Sequence, residues 1–232
     1  MKNLPSWLGI GCVKCGTSWT WREIRKHPQI FTPQKKELFF FSGRGTLEDY
    51  TSHFHDATGI AGEWTPDYFH EPEAMYRIKK LIPKAKLITI FRHPVERAFS
   101  NWKHAIDAKR LRANIPFGSA FPHWRIRARG IYSRKLKEWY EIFPQEQIKI
   151  LWYDDILKKP LAVLKDVFQF IGVDDDFIPN NYEKQFKFSY HNNEDLQSPM
   201  SDEDRQRWLE YYLPFTEELE EMTGRDLSEW KK

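Results

Sequence analysis

Two glycines five residues apart, Gly11 and Gly16, constrain this sequence more than any other feature. Before them lies a short apolar run, Trp7-Leu8-Gly9-Ile10-Gly11, which reads as a buried strand. After them a mixed polar and apolar stretch from Thr17 to His27 reads as a helix that stops at Pro28. Glycine at both ends of the connecting loop lets backbone N–H groups approach an oxyanion, and the helix N-terminus adds its partial positive charge. A chain that opens with strand, loop and helix in this order is headed for an α/β fold.

The alternation continues downstream. Lys86-Leu87-Ile88-Thr89-Ile90-Phe91 is the clearest strand, and Pro94 stands where a helix places its first residue, with that helix running to Asp107. Leu38-Phe39-Phe40-Phe41 is a second apolar run, read as a short strand and closed by Ser42-Gly43, and Gly62–Thr65 is a third strand. Helices are expected at 73–81, 132–143 and 160–171, and a strand at 148–153. Ser201-Asp202-Glu203-Asp204 has the form of a helix start, with Trp208, Leu209 and Tyr212 on one face. Residues 108–128 lack periodicity and hold two prolines, so they read as a long loop. The expected architecture is one α/β domain over 1–232, with a central parallel β-sheet flanked by helices and a P-loop-like phosphate loop.

Composition narrows the class. The 232 residues contain no apolar run of about 18, which excludes a transmembrane helix. The N-terminus has no long apolar stretch of signal-peptide type, and the chain has only two cysteines, so a cytoplasmic location is expected. Charge is unevenly placed. Residues 103–137 carry ten Lys/Arg against one acid, whereas 193–232 carry twelve acids against five bases. The basic segment is either a solvated face or an anion site.

Gly11-Cys12-Val13-Lys14-Cys15-Gly16-Thr17-Ser18 has the glycine skeleton of a Walker A loop, but its lysine is displaced. A nucleoside triphosphatase places Lys directly after the second glycine. Here that position is Thr17, and Lys14 comes two residues before Gly16. The cradle is kept and the chemistry rearranged. With these residues the chain resembles the sulfotransferases that use 3′-phosphoadenosine 5′-phosphosulfate (PAPS). Gly11–Trp19 looks like their 5′-phosphosulfate loop, and Phe91–Trp102 like their 3′-phosphate segment. Lys36-Glu37-Leu38-Phe39-Phe40 and Glu63-Trp64-Thr65-Pro66-Asp67-Tyr68-Phe69 place the resemblance with the heparan sulfate sulfotransferases and their bacterial relatives.

The resemblance implies a set of roles. Lys14 neutralises the leaving phosphate, and Cys15, Gly16, Thr17, Ser18 and Trp19 form the rest of the 5′-phosphate site. Arg92 and Ser100 hold the 3′-phosphate, with Tyr132 at its border. Glu37 is the general base that takes the proton of an acceptor hydroxyl, a carbohydrate hydroxyl by the heparan-type likeness, with an anionic glycan as the candidate partner. The product is adenosine 3′,5′-diphosphate, no metal is needed, and nucleic acid is not an expected partner. The relatives usually carry Lys where this chain has Trp64, which is expected to shape acceptor binding instead.

Other readings of the same residues stay open in the sequence. Cys12 and Cys15 form a C-x-x-C that, with His53 and His55, has the donor types of a zinc or redox site. His53 or His55 is an alternative base. A P-loop phosphotransferase would turn over ATP with magnesium, and a polyanion-binding module would show steep salt dependence without PAPS.

Overall fold

The strand at 86–91 is apolar at nearly every position, and in the computed structural model it lies inside a five-stranded sheet with both faces covered. The structure describes residues 4–112, 115–183 and 200–232. They fall into two compact units, residues 1–91 with 138–186 and residues 92–137 with 187–232.

The first unit holds β1 (Trp7–Gly9), β2 (Ile30–Phe31), β3 (Ile60–Trp64), β4 (Lys86–Phe91) and β5 (Ile148–Trp152), in the order β2-β3-β1-β4-β5. Every pair is parallel. Successive strands that run parallel need crossovers, and helices α1 (Thr17–Ile24), between β1 and β2, and α3 (Pro72–Leu81), between β3 and β4, supply two of them. α2 (Leu47–Ser52) precedes β3, and α7 (Tyr153–Lys158) and α8 (Pro160–Ile171) follow β5. α8 buries Val163, Leu164, Val167, Phe168 and Ile171, an i, i+4, i+8 stripe that packs on β5 and α1.

Sheet register explains two glycines and corrects one expectation. Trp7 pairs with Gly62, and Gly9 with Trp64. A Cβ on Gly62 would lie 1.9 Å from the Trp7 ring, and one on Gly9 would lie 1.9 Å from the Trp64 ring. Each indole therefore fills the space that its glycine partner leaves, and the two rings meet edge-on at 6.5 Å. Trp64 has 0% exposure. It is a core residue and does not line an acceptor surface.

The second unit contains α4 (Pro94–Asp107), α5 (Trp124–Arg127), the start of α6 (Tyr132–Ile142) and α9 (Asp202–Thr223). Its core gathers Val95, Ala98, Trp102, Phe117, Ile126 and Trp208, with Phe117 stacked on Trp208 at 4.9 Å. Ser201 caps α9 by accepting from the Asp204 N–H at 3.1 Å, as its sequence suggests.

The structure departs from expectation in the connections. Residues 38–41 form no strand but an irregular stretch that enters a turn at 40–43, because Glu37 and Phe39 have φ of 69° and 57°, a left-handed backbone that breaks strand pairing. The long loop at 108–128 contains a 3₁₀ turn at Phe117–Ala120 and the short α5, whose side chains Phe117, Ala120 and Ile126 anchor it in the core. β2 is two residues long and leaves no periodic signal.

Candidate active site

The phosphate loop is an extension of the sheet. Beyond β1, Ile10 N donates to Ile88 O (2.8 Å), Ile90 N to Gly11 O (3.0 Å) and Cys12 N to Ile90 O (3.2 Å). Gly11 must be bare, since a Cβ there would lie 2.6 Å from Phe69 Cβ. Gly16 must be glycine twice over. Its φ is +92°, and a Cβ would sit 2.9 Å from the Tyr153 ring. It is the N-cap of α1 and no side chain caps that helix, so the first-turn amides at Thr17 and Ser18 are presented to whatever binds there. Lys14 sits on the loop at φ +67°. The cysteines point inward, with Cys12 Sγ 3.7 Å from Thr89 Oγ1 and Cys15 Sγ 3.7 Å from Val13 O. Cys15 thus offers a nucleotide its backbone only. The same holds for Trp19, whose buried indole donates to Tyr182 O at 3.2 Å.

Glu37 stands on a loop laid along β3 and its continuation. Its N–H donates to Trp64 O at 3.2 Å, Phe39 N to Thr65 Oγ1 at 3.4 Å, and Phe41 N to Tyr68 Oη at 3.4 Å. Lys36 Nζ donates to Glu37 Oε1 at 2.8 Å, and the Glu37 side chain is 36% exposed, open enough to meet a substrate. Lys14, Glu37 and Phe39 are three of the five described non-glycine residues with positive φ. A left-handed backbone costs such residues about 1–2 kcal/mol each, and strain of this kind gathers at functional sites.

Sequence reasoning missed one acid. Glu63, inside β3, is 1% exposed and accepts from Thr65 Oγ1 at 2.9 Å, while its Oε1 closes no hydrogen bond among the described residues. Burial pushes its pKa up to about 7, against the downward pull of the Tyr68 and Thr65 hydroxyls and of Lys36, and Glu37 adds to the rise. The signal was a lone carboxylate in the apolar run Ile60-Ala61-Gly62-Glu63-Trp64. The folded state holds this proton more tightly than the unfolded state, so stability falls as pH rises from 4.5 through about 7. Across that window wild type is expected to lose on the order of 3 kcal/mol relative to Glu63→Gln, which cannot titrate. Urea unfolding of both proteins at pH 5 and pH 8 reads this directly. Parallel stability profiles would remove the buried acid from the explanation.

The second unit carries the other predicted residues. Arg92 precedes α4, whose N-cap His93 accepts from Val95 N at 3.2 Å through Nδ1. Ser100 lies on the half-buried face of α4 with Glu96 and Lys103. Tyr132 is buried and donates its hydroxyl proton to Arg92 O at 2.9 Å, which makes it a support for the Arg92 backbone. Part of the basic segment is spent on packing. Arg127 lies 5.2 Å from the ring centres of Phe121 and Tyr211, and Arg134 lies 4.7 Å from that of Phe215.

The zinc and redox reading fails on geometry. Cys12 and Cys15 are buried, His53 and His55 are exposed, and His55 pairs with Asp56 at 2.9 Å. Among the described residues no group of three or more His, Cys, Asp and Glu is placed to hold a metal ion. No helix among them is long and apolar enough to cross a membrane.

Comparison with known proteins bears on the whole of this geometry. Mouse bifunctional heparan sulfate N-deacetylase/N-sulfotransferase 4 is 29% identical over 211 residues, which cover 80% of this chain and 24% of that protein. Human heparan sulfate glucosamine 3-O-sulfotransferase 3B1 is 28% identical over 187 residues, covering 74% and 47%. This chain thus spans about a quarter to a half of the length of these curated relatives. The crystal structure of a sulfotransferase from Alicyclobacillus acidocaldarius superposes with a TM-score of 0.85 at 27% identity, covering 99% of this chain and 100% of that one. The family model for the sulfotransferase domain matches residues 6–212, which include residues of both compact units. By that match, this chain belongs to the sulfotransferase domain family.

Proposed function

We propose that this chain, acting as one sulfotransferase domain, moves a sulfuryl group from PAPS to a hydroxyl on a carbohydrate without a metal ion. The observation that carries the reading is the uncapped start of α1 behind left-handed Gly16, with Lys14 on the same loop. Amide donors and an ammonium group carried on one loop suit a phosphate leaving group. In the reaction the bond between sulfur and the 5′-phosphate oxygen breaks as a new bond forms from sulfur to the acceptor oxygen. Glu37 takes the acceptor proton, and Lys14 meets the charge that grows on the departing phosphate. Arg92 and Ser100 bind the 3′-phosphate and so select the donor. The heparan sulfate enzymes among the relatives support a carbohydrate acceptor.

Adenosine 3′,5′-diphosphate in the presence of EDTA is expected to raise the melting temperature. A ligand at a hundred times its Kd adds about 2.7 kcal/mol, or about 5–10 °C for a chain of this size. Arg92→Ala and Ser100→Ala should abolish the preference for PAPS over adenosine 5′-phosphosulfate, because an arginine–phosphate contact is charge-assisted. Stabilisation by ATP with magnesium and none by the 3′-phosphorylated nucleotide would overturn the donor assignment. Labelled PAPS offered with desulfated heparan oligosaccharides and with simple alcohols identifies the acceptor class, and transfer to the alcohols alone would refute the carbohydrate reading.

A further inference from the structure

We propose that Glu63 is a positioning residue for the transfer reaction: its buried carboxylate orients the Thr65 hydroxyl, which in turn holds Phe39 in the 37–41 segment so that Glu37 is presented to the acceptor. This rests on the role assigned to Glu37 above. A hydroxyl has one proton to donate and lone pairs with which to accept. Thr65 spends its proton on Glu63 Oε2, at 2.9 Å, which leaves a lone pair for the Phe39 N–H at 3.4 Å. The Tyr68 hydroxyl accepts from the Phe41 N–H at 3.4 Å and fixes the far end of the same segment. With the Glu37 N–H on Trp64 O, alternate amides at 37, 39 and 41 are tied to the 63–68 segment.

Ordinary strand pairing cannot do this work, because Glu37 and Phe39 are left-handed. Two side-chain hydroxyls replace the carbonyls of a neighbouring strand. The Thr65 hydroxyl serves only while something else takes its proton, and Glu63 is that acceptor. Without it, the Thr65 hydroxyl can turn its proton toward the Phe39 amide it now accepts from, and two donors then face each other. The carboxylate is too deeply buried to touch an acceptor itself. The titratable groups that bear on it are Lys36, Glu37, Tyr50 and Tyr68, all on the elements packed around it.

The test compares Glu63→Leu, which fills the space without an acceptor, with Glu63→Gln, which keeps an acceptor oxygen. Sulfate transfer is measured from labelled PAPS to a desulfated heparan oligosaccharide, alongside adenosine 3′,5′-diphosphate affinity and amide exchange. For Glu63→Leu, kcat is expected to fall about ten- to a hundredfold with nucleotide Kd within about twofold of wild type. Exchange at the Phe39 amide should quicken about tenfold or more while β4 keeps its protection. Glu63→Gln should retain most of the activity and protection. The proposal is overturned by wild-type exchange or wild-type kcat in Glu63→Leu, or by equal damage in both variants. Should Glu63→Leu fail to fold, Thr65→Val with Tyr68→Phe removes the relay from the other side. Unchanged exchange at residues 39 and 41 in that double variant is equally fatal. A wild-type protein that transfers no sulfate defeats the sulfotransferase reading, whereas the exchange comparison separately decides whether Glu63 holds the segment.

Discussion

Glu37→Gln is expected to lower sulfuryl transfer about a hundred- to ten-thousand-fold, the usual contribution of a general base. Nucleotide affinity should stay near that of wild type. The amide keeps the size and polarity of the carboxylate and the same left-handed backbone, so the loop has no new reason to move. What it loses is the ability to accept a proton from a hydroxyl. The Lys36 contact changes from an ion pair to a hydrogen bond between an ammonium and a neutral amide, and because Glu37 is 36% exposed the change costs little stability. Transfer rate measured beside nucleotide binding separates the two effects. His53→Ala and His55→Ala serve as controls, since both histidines are exposed and should transfer normally. Near wild-type transfer by Glu37→Gln, with loss in either histidine variant, would move the base to that histidine and remove the main support for the heparan-type placement.

The parts of the fold legible in the sequence are those where a single residue sets the backbone. Pro94 and Pro160 fix φ at the first helical position, and the helices they open run from 94 to 107 and from 160 to 171, as read. β4 was legible because a strand covered on both faces reads as a near-continuous apolar run, here broken only by Lys86 and Thr89. The phosphate loop was legible because both glycines are sterically compelled, by Phe69 in one case and by Tyr153 in the other.

The misreadings share a cause, which is long-range packing that leaves no local pattern. Leu38–Phe41 has strand composition, yet its course is set by hydrogen bonds to Thr65 and Tyr68, more than twenty residues away. Trp64 is expected from the sequence to shape acceptor binding, but its environment is Gly9 across the sheet, visible only once β1 and β3 are in register. Glu37 itself was found by resemblance. Its residue chemistry alone, a carboxylate next to Lys35 and Lys36, is equally that of a surface turn. Glu63 was passed over for the opposite reason, since nothing in the sequence says that a carboxylate in an apolar strand has a hydroxyl to orient.

Lys14→Ala should damage both binding and turnover, in contrast to Glu37→Gln. In the proposed mechanism Lys14 meets the phosphate in the ground state and meets more charge there once the sulfur–oxygen bond begins to break. A hydrogen bond to a charged group contributes about 1.5–3 kcal/mol, so nucleotide affinity is expected to fall about ten- to a hundredfold. A donor aimed at developing charge adds about a hundred- to a thousandfold in kcat. The left-handed backbone at residue 14 makes this comparison clean, because alanine bears the same Cβ strain as lysine there. Lys14→Met, which keeps the aliphatic stem, should be as inactive as alanine. Lys14→Arg should recover binding better than turnover, since a planar fork does not put its charge where a compact ammonium does. Isothermal titration with adenosine 3′,5′-diphosphate, set beside single-turnover transfer from PAPS, resolves the two losses. If Lys14→Met bound nucleotide weakly but transferred at the wild-type rate once saturated, Lys14 would only tether the donor, and the charge on the leaving phosphate would have to be met by the α1 amides alone.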